Sequence, residues 1–152
     1  MTGRLAGIAR HHEPKGAMET VASVSVTSAE GVHGDFRGGL ASTKPGQKRQ
    51  VSLIERECWD AAAVETHCPF EWWNSRRNLL VDGLRLPREA GTRVQIGETL
   101  VLEITGECDP CARMEALHAG LRAALTPDWR GGFLGRVITD GEIAVGEEIR
   151  IL

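Results

Sequence analysis

The 152-residue chain has no tyrosine, three phenylalanines, four tryptophans and four cysteines. It also lacks an apolar run near the roughly 18–20 residues that a membrane-spanning helix needs, so no membrane partner is expected. Four cysteines are too few for a disulfide scaffold and are read first as thiols, with metal binding or chemistry as options. There is no excess of positive charge: the net charge is −3, and nothing global suggests nucleic acid. Met1 to Arg10 carries neither a long apolar stretch nor a small-residue cleavage site, so no secretory signal is expected. Together these absences favour a cytoplasmic protein with reduced thiols. No internal repeat or low-complexity segment is present.

Glycine is plentiful, with 18 residues, and the turns this implies are frequent in β-rich folds. Alternation and β-branched content predict strands at Leu5–Ala9, Thr20–Thr27, Arg49–Ile54, Asn78–Val81 and Phe133–Thr139, with a last strand at Glu147–Leu152. Arg93–Ile96 and Thr99–Thr105 read as a hairpin turning at Gly97. Turns are expected at Asp82-Gly83 and Asp140-Gly141. The segment Gly31–Lys48 has no hydrophobic period and reads as a long loop, the kind usually functional or mobile. Glu55–Glu65 is alanine-rich and helical in pattern, and Cys68–Arg77 is irregular and aromatic. A second helix is expected from about Pro110 to Leu125, because Met114, Leu117, Leu121 and Leu125 share one face. The sum is a single domain over 1–152, mainly β (β/α mixed): a closed or nearly closed barrel of about seven strands with inserted helices.

The stretch Gly106-Glu-Cys-Asp-Pro-Cys-Ala-Arg-Met114 holds two cysteines in Cys-x-x-Cys spacing. Pro110 suits a first helical position and Asp109 an N-cap. Cys111 then falls in the first turn, where unpaired N–H groups and the helix dipole lower a thiol's pKa. That favours Cys111 over Cys108 as the reactive thiol. The alternatives are a small buried hydrophobe, a zinc half-site, for which Cys58, Cys68 and His67 offer no knuckle spacing, and a thioredoxin-like pair, for which the β-α alternation is missing. His118 lies about 10 Å along the helix from Cys111, too far to act as its base, and reads as a solvated face residue.

Five segments occur in an order that resembles the MOSC family, named for the C-terminal domain of molybdenum cofactor sulfurases. They are Gly31–Asp35 (GVHGD), Arg49–Leu53 (RQVSL), Arg76–Gly83 (RRNLLVDG), Pro110-Cys111, and Arg130–Glu147 (RGGFLGRVITDGEIAVGE). The resemblance covers nearly the whole chain and implies a barrel-like β fold. It also implies a cysteine at position 111 that ligates molybdenum in metal-bearing relatives, or carries sulfur as a persulfide in a cofactor-handling module. The molybdenum cofactor, a pterin-dithiolene molybdenum, is the cofactor the resemblance implies. Reduction of N-hydroxylated compounds is the activity of molybdenum-bearing relatives, and a non-catalytic binding domain is the remaining alternative. Neither the additional barrel and ferredoxin domains of larger relatives nor a sulfurase domain is expected here. A separate reductase or sulfurtransferase is therefore the expected partner beside a small-molecule substrate or cofactor.

A thiolate suits a soft metal centre, and a phosphate-bearing cofactor calls for arginine, lysine and backbone N–H groups. The candidates in or beside the matching segments are Lys44, Lys48, Arg49, Arg76, Arg77 and Arg113, with Arg77 and Arg49 foremost. Asn78 could bond backbone or cofactor. Asp35 is a candidate catalytic group that orients a basic neighbour or polarises a substrate, against the alternative of a turn aspartate bonding its own backbone. His33 is a candidate proton donor or an exposed loop histidine, and Phe70, Trp72 and Trp73 are pocket-wall or packing residues.

Overall fold

The structure, a computed structural model, describes residues 1–44 and 46–152. Along the described chain run β1 (Thr2–Arg10), β2 (Glu19–Thr20), β3 (Ser23–Thr27), β4 (Gly31–Val32), α1 (Phe36–Ser42), β5 (Val51–Glu55) and α2 (Arg56–Thr66). Then come β6 (Leu79–Asp82), β7 (Arg93–Ile96), β8 (Leu100–Glu107), α3 (Ala112–Leu117), α4 (Leu121–Leu125), β9 (Phe133–Thr139), β10 (Gly141–Ala144) and β11 (Glu148–Ile151). Short 3-10 turns occupy Trp72–Ser75 and Pro127–Trp129.

Seven strands close into a mixed barrel in the order β11-β7-β8-β9-β5-β6-β1, with β1 pairing back onto β11. The pairs are antiparallel except β5–β6, which run parallel with Leu53 opposite Leu79. A small sheet, β10-β3-β4, stands beside the barrel. The inward faces follow from period-two alternation: β8 buries Leu100, Leu102 and Ile104, and β7 buries Val94 and Ile96. These pack with Leu5, Leu53, Leu79 and Phe133 into the main core. β5 is buried at all five positions because its other face is covered too. Ile54 and Leu80 turn outward into a second core with Trp59 and Ala62 of α2, Met114 of α3, and Leu121 and Leu125 of α4.

Several local expectations need correction. The Thr20–Thr27 strand is two strands in different sheets, β2 on β1 and β3 on β10. The Gly31–Lys48 loop contains β4 and the helix α1, whose two glycines hid its pattern; its Pro45 lies outside the described residues. Asp140-Gly141 is not a hairpin turn, because Gly141 opens β10, which leaves β9 and pairs with β3. The Pro110–Leu125 helix is broken. His118 is extended (φ −157°) and Gly120 is left-handed (φ 86°), so α3 and α4 share the apolar face without sharing an axis. His118 is half-buried rather than a solvated face residue, and its Nε2 bonds the Thr66 carbonyl at 2.7 Å.

Candidate functional site

The parallel pair β5 and β6 enters the barrel from one end, and that end is where the chemistry gathers. A cavity of about 360 Å³ is lined by the entries to both strands, by α1 and its cap, by the β1–β2 connection and by the start of α3. Such a volume lies in the range of small-molecule sites. Its walls carry Lys15, Arg37, Arg49, Arg76, Arg77 and Arg113, against one carboxylate, Asp35. Among the described residues none of these six cations forms an ion pair, although arginines elsewhere, such as Arg10, Arg88, Arg130 and Arg136, do. In a chain of net charge −3 this is a local concentration of positive charge that a low-dielectric wall focuses.

Cys111 stands at this wall. It is exposed, and it is itself the N-cap of α3 (φ −106°, ψ 178°), so neither Asp109 nor Pro110 takes the helical role expected of it. Burial opposes ionisation of the thiol most strongly of any single influence. The backbone N–H groups of Arg113 and Met114, then the charges of Arg77 and Arg113, outweigh it and hold the pKa below the ordinary cysteine value. No closed cap bond forms to the sulfur, so these N–H groups favour the thiolate without occupying it. Helix α3 is only six residues long, so its dipole is a minor contributor.

Three of the motif segments converge to hold that loop. Arg77 is almost completely buried, and burial pushes its pKa down. Its Nε donates to the Gly131 carbonyl at 2.8 Å, Nη1 to Ser75 at 3.0 Å, and Nη2 to the carbonyls of Cys108 and Asp109, each at 3.4 Å. The Cys108 N–H donates to Gly132 O at 2.9 Å. A Cβ at Gly131 would lie 2.8 Å from the Cys108 carbonyl, and one at Gly132 (φ 114°) would collide with the Leu53 carbonyl, so side chains there would push the loop away. The paired glycines of Arg130–Glu147 thus serve the site, a signal visible in the sequence but not used there. Arg77 lines the cavity with most of its donors already engaged, and it positions the Cys111 loop.

Asn78 is likewise a structural clasp that reaches the cavity. Its Oδ1 accepts from the Ser52 N–H and hydroxyl, and its Nδ2 donates to Ala9 O at 3.1 Å, tying β1, β5 and β6. Arg76 takes a left-handed backbone (φ 66°), which lets it and Arg77 line the same space although neighbours in extended chain face opposite ways. Burial, then the adjacent Arg113, push its pKa down. Arg49 lines the cavity just before β5 begins, and its Nε is buried without a partner. Arg113 is exposed at the mouth.

Asp35 is 5% exposed and caps α1: Oδ2 accepts from Gly38 N–H at 3.0 Å, and Oδ1 accepts from His11 N–H at 3.1 Å. It is therefore a backbone-bonding aspartate that also faces the cavity. Lys44 and Lys48 do not join the lining; Lys48 is exposed, and its carbonyl accepts from Thr105 Oγ1. His33 is turned to Thr27 and Glu30, Trp72 is core, Trp73 packs on the second core, and Phe70 is on the surface. The residues that sequence reasoning missed are His11, Lys15 and Arg37, which lie in segments without a motif. Among the described residues no three His, Cys, Asp or Glu side chains come together as a metal-holding cluster.

Comparison with known proteins agrees with this architecture. The sequence model of the family described as the MOSC domain matches residues 33–150. No curated protein matches the chain. Among solved structures, the YuaD protein from Bacillus subtilis superposes with a TM-score of 0.83 at 18% identity, over 98% of this chain and 94% of that one. YiiM from Escherichia coli gives 0.70 at 18% identity, over 98% and 69%. YiiM from Geobacillus stearothermophilus gives 0.71 at 18% identity, over 99% and 75%. At these identities the likeness is one of fold.

Proposed function

This chain belongs to the MOSC domain family, which is associated with the molybdenum cofactor, and we propose that its cationic cavity binds the phosphate-bearing pterin form of that cofactor, with the Cys111 thiolate as the protein's ligand to molybdenum. The observation that carries this reading is the set of six cations without ion pairs among the described residues, beside an exposed thiol whose pKa is lowered. The donor chemistry fits. A thiolate suits a soft metal centre, and guanidinium N–H groups suit phosphate. The buried Arg49 Nε lacks an acceptor that an anion would supply. Arg49, Arg76 and Arg113 hold the anionic groups, while Arg77, Asn78 and Asp35 keep the walls in place.

When bound, the cofactor supplies two-electron redox chemistry at the metal. The substrate class is a small N-hydroxylated compound, reduced with electrons from a separate reductase. Protein produced in a host that makes the cofactor is expected to carry stoichiometric molybdenum by elemental analysis, and Cys111→Ala is expected to lose it. Wild-type protein from that host without molybdenum would sink the reading. A mass increase of one sulfur on Cys111 without metal would replace it with the sulfur-carrier function.

A further inference from the structure

The cavity holds one ionisable group that the cofactor reading does not use. His11 is 8% exposed, lies just after β1, and lines the cavity together with the arginines. It is fastened at three points to the start of α1. Its N–H donates to Asp35 Oδ1 at 3.1 Å, its carbonyl accepts from Phe36 N–H at 2.7 Å, and the Phe36 ring tilts against the imidazole with centroids 6.3 Å apart. Nδ1 stands 3.3 Å from Asp35 Oδ1, but the angle falls short of a hydrogen bond and Nδ1 is left buried and unpartnered. Nε2 makes no bond among the described residues and is not among the buried unpartnered atoms, so the ring's free nitrogen is left for the cavity.

We propose that His11 is a ligand-contacting residue that takes up a proton as an anion enters the cavity and presents it from Nε2 to that ligand. The proposal rests on the anion-binding part of the reading above, and its chemistry follows from what surrounds the ring. Burial first, then Arg76, Arg37 and Arg113, disfavour the imidazolium, and only Asp35 favours it, so the pKa lies below the ordinary histidine value. Lys15, Arg49, Arg77 and Cys111 line the same space. An anion seated there offsets the arginines and adds its own attraction to that of Asp35, against a burial cost that remains, and so raises the pKa. By linkage, an anion that raises it by one unit binds the protonated form about tenfold more tightly. Reduction of an N-hydroxyl group takes two electrons from the separate reductase and two protons, and releases water (R–NHOH + 2e⁻ + 2H⁺ → R–NH₂ + H₂O). His11 holds one of those protons beside the ligand.

The test needs no turnover. The imidazole Cε1–H resonance of His11 is followed by NMR against pH, with sulfate exchanged for chloride at constant ionic strength. Sulfate stays dianionic throughout, so any proton taken up is the protein's. The expected midpoint is below 6.5 without sulfate and rises by about one unit at saturation. Arg113→Gln, at an exposed site, raises the sulfate-free midpoint, and Asp35→Asn, which keeps a capping oxygen, lowers it. A sulfate-free midpoint at or above 6.5, or one that bound sulfate does not move, overturns the inference. If sulfate moves the midpoint but the protein never acquires molybdenum, the inference stands and the cofactor reading falls. If molybdenum is bound and neither it nor sulfate moves the midpoint, the reverse holds.

Discussion

The two ends of β5 carry charge in opposite ways. At the exit, Glu55 is buried and fully matched. Arg88 donates to both carboxylate oxygens at 2.6 and 2.8 Å, the Leu86 N–H adds a third bond, and the guanidinium lies 5.1 Å over the Phe133 ring. At the entry, among the described residues, Arg49 has a buried Nε without an acceptor and five further cations lack ion pairs. Each end also owns a thiol. Cys58 donates to Glu55 at 3.2 Å, and burial followed by that carboxylate pushes its pKa to about 11. Burial opposes ionisation at Cys111 too, yet N–H groups and arginines bring its pKa down. Burial acts on both thiols, but a carboxylate neighbour adds to it at Cys58, whereas cationic and N–H neighbours outweigh it at Cys111. A satisfied polar cluster stabilises the fold, whereas an unsatisfied one is available to a ligand.

The largest contrast is expected in stability. Arg88→Met strands the buried Glu55 carboxylate and costs about 3–5 kcal/mol by denaturant unfolding, whereas Arg113→Met at the cavity mouth stays within about 0.5 kcal/mol. Equal losses would erase the distinction between the two ends. Next is thiol reactivity. The difference in thiolate content makes Cys111 react with iodoacetamide at neutral pH about 100-fold faster than Cys58, measured by peptide mass spectrometry; early labelling of Cys58 would contradict the electrostatic account. Third, Arg49→Ala is expected to weaken sulfate binding about tenfold, and Lys48→Ala by less than about twofold, by calorimetry. A reversal would mean that the lining has been drawn on the wrong residues.

The smallest effect is the pH dependence of stability. The folded His11 pKa lies below its unfolded value of about 6.5. Between the two, the unfolded chain binds more protons, so this contribution is fully present above about pH 6.5 and is lost as pH falls through the folded pKa. Sulfate is expected to shrink that acid-side loss in thermal melts, and His11→Asn to remove its dependence on sulfate. A loss that sulfate leaves unchanged would separate His11 from anion binding.

Much of the barrel was legible because strand periodicity is local. Phe133–Thr139 was read as a strand and the β7–β8 hairpin with its pairing, and five ordered motifs pointed to the family and to Cys111. Helix α1 was not legible, since glycines at 38 and 39 erase its amphipathic signal, and the bond from His11 N–H that fixes the other oxygen of the Asp35 cap comes from a distant segment. Nor was the split of α3 from α4, because apolar spacing survives a break between helices.

The sequence by itself determined most of the barrel strands, their inward alternation and which thiol stands at a helix start, since each depends on neighbours a few positions away. Only the tertiary structure decided that Arg77 and Asn78 fasten the walls, that Lys48 lies outside them, and that His11, Arg37 and Arg113 meet across one cavity. Those relations join residues dozens of positions apart. Barrel closure sets them, because the field at a site is the sum over whatever charges the fold brings within range.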